Sequence, residues 1–422
     1  MMIVENKVIS NLLSILFILI PFSLILGPFF PDLFLVIIII SFFTFAVIKK
    51  DYSLFKNSFL NYFLVICLYF CLVSFLTFNL LSIKSSFFYF RFGVFAFLAS
   101  YLIYFNNNIF RNLFYLFLAI YTFLFIDTLY QYFFSKNIFG YVHLYGENFR
   151  ITSIFKDDEV LGSYTARFFP LLMFLLSWNI KNKTSKKFSL LLIFLTIISF
   201  SIILLSGERT SIGLFILSSS FIFISSKNFR KNVLVPFFVI LIGFLVIVTI
   251  SEKVKKRIIT QTMSQMGLNS KSDRIILFSK IYEGHYKISY NMFKEKPIFG
   301  HGVKMFRVYC QKEENFVSQD ACSTHPHNFY AQMLAENGII GLIILLSIFI
   351  YICYLFLRNL YFLFFKRKQL LTDEAICLLS FYFMTLFPIL PSGNFFNNWM
   401  SIIIYYPLGF LIYILNNKRF YV

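Results

Sequence analysis

Two histidines lie two residues apart in the polar stretch THPHNFY, residues 324–330. An imidazole titrates near neutral pH, so His325 or His327 can accept a proton from a hydroxyl nucleophile. Asn328 and Tyr330 follow directly and are suited to orient the ring. A His-Pro-His sequence is equally compatible with a helix cap or a contact to lipid headgroups. A paired-histidine metal site is a third interpretation, although no Cys, Asp or Glu lies nearby at ligand spacing.

Three arginines are candidates for binding a phosphate group. Arg209 lies in the tight turn SGERT between two apolar stretches, Arg274 lies in a long polar segment, and Arg150 lies in a shorter one. An arginine at a membrane boundary commonly anchors a helix by snorkelling. The planar guanidinium also matches the oxygens of a diphosphate. Arg91 and Arg167, near the ends of apolar stretches, are further candidates for the same cavity.

The acidic residues admit two interpretations. The cluster at residues 157–159, Asp-Asp-Glu, would hold a divalent cation or would stabilise the start of the helix that follows it. Carboxylates favour a helix N-terminus, and we prefer this second interpretation. Asp127 lies inside an apolar stretch, so it is expected to face the protein interior or a cavity.

Cys310 and Cys322 are separated by eleven residues in the long polar segment. In an oxidising compartment they would close this segment with a disulfide. The other four cysteines lie in or near apolar stretches, where cysteine behaves as a small apolar residue.

The elements that must position these residues are membrane helices. Hydrophobic residues make up 59% of the 422 residues and charged residues 14%, against about 25% charged residues in soluble domains. Apolar runs near the 20 residues needed to cross a bilayer recur along the chain. They predict an all-α polytopic protein with about twelve spans, at 8–27, 29–48, 58–79, 86–105, 110–134, 159–179, 187–206, 210–226, 231–251, 336–358, 374–391 and 397–415.

The distribution of lysine and arginine predicts the orientation of these spans. The net charge of +19 comes mainly from loops that lie on one side if the N-terminus is cytoplasmic, and basic loops are normally cytoplasmic. Both termini are then inside. The chain divides into an N-terminal bundle at 1–251, a large outside loop at 252–326 with an amphipathic helix, and C-terminal spans at 327–422.

A known family shares this pattern. His327 and Asn328 are followed by nine residues, Gly338, two residues and Gly341, which resembles the signature of the O-antigen ligase and polymerase superfamily. The large outside loop before the histidines, the arginine in SGERT and the Pro-x-x-Gly-x-Gly turn at 297–302 are also similar to that family. The resemblance is concentrated in residues 150–342.

The resemblance implies a C-type glycosyltransferase of the bacterial inner membrane that works at the periplasmic face without cofactor or metal. The donor would be a glycan on undecaprenyl diphosphate, and the acceptor a hydroxyl of lipid A-core. Arg209 and Arg274 would hold the diphosphate, and His327 would be the catalytic base. Arg150, His325, Asn328 and Tyr330 would contribute to substrate binding. Metal-dependent C-type enzymes carry an acidic residue in a long first outside loop, whereas this loop is short and offers only Asp32.

Other functions remain open at the level of the sequence. A polymerase would join repeat units on the lipid carrier, and the compact histidine motif after a large loop favours the ligase. A protein O-oligosaccharyltransferase is disfavoured by chain length. A lipid-linked sugar flippase would carry polar residues near the centres of paired spans, whereas here they cluster at one predicted face. The expected partners are therefore the lipid-linked donor, a glycan acceptor and membrane lipids, and no nucleic acid.

Overall fold

The computed structural model describes residues 7–52, 55, 57–142, 150–232, 234–266 and 279–422. Helices make up 76% of the structure, and no strand occurs in these ranges. Only an isolated bridge joins Leu371 to Tyr421. The predicted all-α class is therefore confirmed.

Most of the described residues form α-helices. In chain order they are α1 (Lys7–Ser23), α2 (Phe29–Lys49), α3 (Ser58–Leu76), α4 (Leu80–Phe87), α5 (Phe90–Phe105), α6 (Asn108–Phe134), α7 (Leu161–Asn179), α8 (Lys186–Ser206), α9 (Arg209–Ser225), α10 (Lys227–Arg230), α11 (Leu234–Ile250), α12 (Glu252–Lys255), α13 (Gln261–Gln265), α14 (Lys280–Glu295), α15 (Phe306–Tyr309), α16 (Phe329–Phe365), α17 (Asp373–Thr385) and α18 (Asn398–Asn416).

Eight helical stretches in the described ranges are long and apolar enough to cross a membrane, as a polytopic membrane protein requires. They are α1 with the turn after it, α2, α3, α4 with α5, α6, α8, α16 and α18. A ninth is added if α11 and the bent segment Glu252–Gln265, 102° apart, form one span. Each of the twelve predicted spans overlaps a helix, but α9 and α17 are short, so the count of twelve stays a prediction.

The chain divides into two compact units. Unit 1 comprises Met1–Asn106, Ile276–Tyr351 and Leu386–Tyr413. In it α2 packs against α1 and α5, and α3 packs against α4 and α5. Its core is strongly aromatic: the ring of Phe17 on α1 stacks on Tyr406 of α18 with centroids 4.7 Å apart. Because aromatic rings bury large areas, the abundant phenylalanines supply much of this core.

Unit 2 comprises Asn107–Ile275, Ile352–Thr385 and Ile414–Val422. Its central helix, α7, packs against α6, α8, α9 and α17. Most side chains of α7 are buried, including that of Arg167, which is 2% exposed. A helix enclosed by other helices needs no lipid-facing apolar stripe, so α7 tolerates polar residues that a peripheral span would exclude.

Helix α17 ends six residues before the predicted span 374–391 does. Pro388 and Pro391 follow it closely. Proline lacks an N–H group and disfavours helical geometry in the preceding residue. The backbone from 386 to 397 therefore forms no regular helix, and its polar groups are available to other parts of unit 1.

Candidate active site

The histidine motif lies at the N-terminus of α16, where Asn328 provides the cap. Its Oδ1 accepts hydrogen bonds from the N–H groups of Tyr330 and Ala331, at 2.9 and 3.1 Å. Its Nδ2 donates to the carbonyl of Pro388 at 2.7 Å. The helix cap is thus provided by the asparagine, and the two histidine side chains are left for other tasks.

The segment after α17 holds His327 in an uncommon backbone conformation. His327 has φ 52°, in the left-handed region, which costs on the order of 1–3 kcal/mol for a residue with a side chain and is concentrated at functional sites. Its carbonyl accepts from the N–H of Ser392 at 2.8 Å. The hydroxyl of Tyr330 donates to the carbonyl of Leu386 at 2.6 Å. Asn328 and Tyr330 therefore orient the motif through backbone contacts.

Three imidazole rings lie together at this point of unit 1. The ring centroids of His325 and His327 are 4.1 Å apart. His285 of α14 adds a third ring, 5.2 Å from that of His327. The ring of Tyr282 lies 5.8 Å from that of His327. The sequence predicted the first two histidines of this cluster and missed the third.

Burial keeps these imidazoles neutral near pH 7. It lowers the pKa of His327 to about 4, with a further contribution from the positive charge that His285 would carry. Burial also lowers the pKa of His325 to about 3, and charge on His327 and His285 adds to the effect. The pKa of His285 is lowered by burial as well. A neutral imidazole has one unprotonated nitrogen, so the cluster can accept a proton.

The tautomer of His285 follows from its hydrogen bond. Its Nδ1 lies 2.6 Å from the carbonyl oxygen of Ala321, so this nitrogen must donate. In a neutral ring the proton acceptor is then Nε2. The sequence signal for this residue was a polar side chain on the apolar face of a helix, because His285 is three residues before Ile288 and seven before Met292. Those two residues are fully buried.

Glycines of the turn at 297–302 and of the histidine motif allow this turn to pack closely against α16, and we call this contact the interlock. Helix α16 breaks at Gly338, where φ is 62° and ψ is −163°. A side chain at Gly338 would collide with the carbonyl of Ile298, and one at Gly300 with the backbone of Glu336. Close backbone approach therefore requires glycine at both positions.

Backbone hydrogen bonds close this interlock. The carbonyls of Ala335 and Glu336, free of the helical ladder at the break, accept from the N–H groups of His301 and Gly302 at 3.1 and 2.8 Å. The N–H of Ile339 donates to the carbonyl of Pro297 at 2.9 Å. The three bonds fix the turn at 297–302 against α16.

A buried carboxylate, which the sequence analysis did not identify, holds the next turn. Glu336 is fully buried, and its side chain accepts from the N–H of Phe306 at 3.1 Å and from Gln332 at 3.0 Å. Gln332 also donates to Asn394 at 2.9 Å and accepts from the N–H of Phe395. The histidine region is therefore tied to residues on both sides of it in the sequence.

The large loop has its own small core. Ile288, Met292, Phe306, Cys310 and Ala321 pack with Ala335 of α16. Of the predicted amphipathic face, the described part buries Ile288 and Met292 here, whereas Ile281 is exposed.

The structure joins Cys310 to Cys322 by a disulfide, with Cα atoms 5.3 Å apart. The sulfur of Cys310 belongs to the same buried cluster as Phe306. The bond therefore closes the loop directly beside the carbonyl of Ala321, which orients His285.

Arg209 begins α9 in unit 2. It donates from Nη1 to Thr262 at 3.0 Å and from Nη2 to Gln265 at 2.7 Å. Its neighbour Glu208 accepts from the N–H groups of Gly162 and Ser163 at 2.6 and 3.0 Å. Burial raises the pKa of Glu208 to about 7, against the opposing effect of the Gly162 bond.

Glu208 therefore makes the side-chain cap of α7, in place of the cap predicted from residues 157–159, whereas the predicted effect of these carboxylates on the helix dipole stays a prediction. Glu159 pairs with Arg150, and Asp157 accepts from the hydroxyl of Tyr141. Tertiary contacts supplied the cap from a distant turn, which local sequence spacing does not reveal.

The remaining arginines have different surroundings. Arg257, which the sequence analysis did not select, donates from Nε to the carbonyl of Gly207 at 3.2 Å and from Nη1 to Gln261 at 2.8 Å. Arg167 has Nε 3.3 Å from the hydroxyl of Ser163 and Nη1 3.4 Å from that of Thr385. Arg274 lies outside the described residues.

The described residues contain no group of three or more His, Cys, Asp or Glu side chains arranged to hold a metal ion. Buried Asp127 accepts from the N–H of Ile138 at 2.7 Å and from the hydroxyl of Ser153. It faces the interior of unit 2, as expected for an acidic residue in a span.

Comparison with known proteins gives one family. Residues 194–346 match the protein family described as O-antigen ligase. The matched segment contains Arg209 and the complete histidine motif from His327 to Gly341. No curated protein matches the chain.

Proposed function

Since the match over residues 194–346 supports the O-antigen ligase superfamily as the family of this chain, we propose that the protein transfers a glycan from undecaprenyl diphosphate to a hydroxyl of lipid A-core. A glycosyltransferase-like enzyme with a lipid-linked glycan and an acceptor as partners agrees with that family. The observation that carries the proposal is the cluster of neutral imidazoles that includes His327 of the histidine motif.

The reaction needs a base at the acceptor. The acceptor oxygen attacks the anomeric carbon of the donor glycan, the bond from that carbon to the diphosphate oxygen breaks, and the hydroxyl proton is transferred to an imidazole. His327 is the proposed base, a role typically worth about 10²–10⁴-fold in rate. His285 presents Nε2 as an acceptor in the same cluster and is the proposed second carrier of the proton.

The reaction also needs positive charge at the leaving group. The electron pair of the broken bond goes to the lipid diphosphate, and donors aimed at this developing charge lower the barrier. Arg209 and Arg274 are the proposed catalytic donors for the diphosphate. Arg150 and His325 are proposed to contribute to substrate binding, together with the orienting residues Asn328 and Tyr330. The reaction is proposed to need no metal or other cofactor.

The proposed location is the bacterial inner membrane, with both termini cytoplasmic and the reaction at the periplasmic face. Several apolar helices and the family match support a multi-pass membrane protein. The charge distribution of the loops supports this orientation.

The alternative is a polymerase that joins repeat units on the lipid carrier, since the family match agrees with both activities. The test is to delete the gene in its host, restore wild-type protein or His327→Ala, and resolve the glycolipids on a gel. A ligase predicts long glycans on undecaprenyl diphosphate and bare lipid A-core in the deletion. Lipid A-core carrying a single repeat unit would instead identify the polymerase.

His301→Gln is the matched control for the histidine change. Its ring nitrogen Nε2 bonds to the carbonyl of Met292 at 2.8 Å, so its contacts are structural. We expect His327→Ala and Arg209→Ala to abolish transfer at normal membrane levels, and His301→Gln to retain it. Normal transfer by His327→Ala would eliminate the proposed base, and an unchanged profile in the deletion would overturn the transferase.

A further inference from the structure

A second polar region of unit 1 lies outside the groups used above. A cavity of about 410 Å³ is lined by side chains of α2, α4, α5, the turn before α15 and α18. This volume is within the range of small-ligand sites, roughly 300–1,000 Å³. Its charged lining residues are Asp32, Lys84, Arg91 and Lys304. Three cations and one carboxylate leave an excess of two positive charges.

The carboxylate is already compensated. Arg91 holds Asp32 in a two-point contact, with Nε and Nη2 donating at 3.0 and 3.1 Å. Asn398 adds a third bond to Asp32 at 3.2 Å. The third nitrogen of Arg91 donates to the carbonyl of Phe88 at 2.7 Å. This pair is a fixed wall of the cavity, and the excess charge comes from the two lysines.

Neither lysine forms a described ion pair with a carboxylate, although the charge of buried Glu336 acts on Lys304 from a distance. No described ion pair or side-chain hydrogen bond involves the ammonium of Lys84 or of Lys304. Lys304 is held in the left-handed region, with φ 61°, on the turn that Glu336 binds. Burial lowers the pKa of Lys304, and the charges of Arg307 and Arg91 lower it further, against the opposing effect of the Glu336 carboxylate.

We propose that this cavity is a subsite for a phosphate group of a glycolipid, bound by Lys84 and Lys304 against the wall formed by Arg91 and Asp32. Bringing like charges together is unfavourable unless an anion offsets them. A phosphomonoester carries about −1.5 to −2 charges near pH 7, and a diphosphate esterified at both ends carries about one on each phosphate, so either matches the excess of two. A single carboxylate would leave one lysine unpaired. Lysine binds phosphate as a point charge, and arginine adds directed donors.

The phosphate has two chemical sources, the diphosphate of the lipid-linked donor and a phosphate on the acceptor glycolipid. The subsite deepens the proposed function because it gives the transferase a phosphate contact separate from Arg209 and Arg274. Its first test is nevertheless independent of transfer. Inorganic pyrophosphate is titrated calorimetrically into the purified full chain and into its Lys84→Gln and Lys304→Gln variants.

The matched control is Lys287→Gln, which removes the same charge from an exposed position of α14. We expect each cavity variant to weaken the lysine-dependent binding about tenfold, and Lys287→Gln to retain it. Equal affinity in all variants, or absence of saturable binding to the wild type, would overturn the subsite. If the lysine variants lose pyrophosphate binding but the wild-type protein transfers no glycan, the phosphate subsite is supported and the proposed transferase function is wrong.

A second measurement identifies the source of the phosphate. In a reconstituted transfer reaction, the KM for donor and the KM for acceptor are measured for Lys304→Gln. A rise in the donor KM alone assigns the cavity to the lipid diphosphate, and a rise in the acceptor KM alone assigns it to an acceptor phosphate. If neither KM changes while pyrophosphate binding is lost, the assignment to a glycolipid phosphate is wrong.

Discussion

Two charged regions of the molecule are stabilised by different interactions, ion pairs between side chains in unit 2 and backbone hydrogen bonds in unit 1. In unit 2, Lys183 donates to Asp373 at 3.1 Å and to Glu374 at 2.9 Å. Asp373 also accepts from Ser226, Asn228 and Gln369. In unit 1, the turn that leads to Lys304 is fixed against α16 by backbone hydrogen bonds between residues 297–302 and 335–339.

The comparison distinguishes charged side chains that stabilise the fold from charged side chains that are available to bind a ligand. Around Lys183 each charge has a partner, so the cluster stabilises the connection before α8 and gains little from an added ion. Where the backbone carries the structure, the side-chain charges of Lys84 and Lys304 need not be compensated internally. The same residue types therefore support a structural interpretation in one unit and a binding interpretation in the other.

The largest expected effect comes from breaking the backbone interlock. Gly338→Ala should destabilise the protein by about 3 kcal/mol or more, because alanine is strained at this φ and ψ and its Cβ meets the carbonyl of Ile298. Thermal unfolding of the detergent-solubilised chain measures the change. Gly243→Ala is the control, since no atom lies within 4 Å of its added Cβ, and equal melting temperatures for both variants would contradict the interlock.

Breaking the charge cluster should have the next largest effect. Lys183→Met leaves Asp373, which is 4% exposed, without its cation. Breaking a buried pair costs about 3–5 kcal/mol, and we expect about 2–3 kcal/mol here because Lys183 is partly exposed. The same melting experiment tests this, with exposed Lys181→Met as the control. A loss no larger than that of the control would refute a structural role for the cluster.

Acid should weaken unit 1 through its histidines. The folded-state pKa of His327 is about 4, below its ordinary 6.5. Between these values the unfolded chain binds more protons than the folded protein, so stability rises as the pH increases from 4 to 6.5. Melting temperatures measured across this window should show a shallower slope for His327→Asn than for wild type. Parallel slopes would show that His327 titrates normally in the folded protein.

The smallest change in stability is expected on removing the two lysines proposed to bind a ligand. The double variant Lys84→Gln and Lys304→Gln should change stability by about 0.5 kcal/mol or less, since no described ion pair is lost. Pyrophosphate should raise the melting temperature of the wild type more than that of the double variant, because a ligand stabilises only the state that binds it and the double variant lacks the lysine subsite. A large loss of stability in the variant without pyrophosphate would make the lysines structural, like Lys183.

Apolar runs were sufficient to predict the helices, and the spacing of His327, Gly338 and Gly341 was sufficient to predict a resemblance to the family that matches residues 194–346. What the sequence did not reveal depends on contacts between distant residues. The partner of Gly338 is Ile298, forty residues earlier, and the cap of α7 is Glu208. His285 joins the histidine cluster only because α14 packs against the loop core. Such pairings follow from the packing of helices, which no local pattern encodes.

The contacts of the histidine motif also determine when, during synthesis of the chain, the motif can acquire its conformation. A chain grows from its N-terminus at about 5–20 residues per second. Ser392, whose N–H holds the carbonyl of His327, is therefore made on the order of 3–13 s after His327. The disulfide between Cys310 and Cys322 has a sequence separation of only 12, and both cysteines are made before His327. The conformation of His327 is thus among the last to be acquired, and a nascent chain that stalls before residue 392 carries the motif without its geometry.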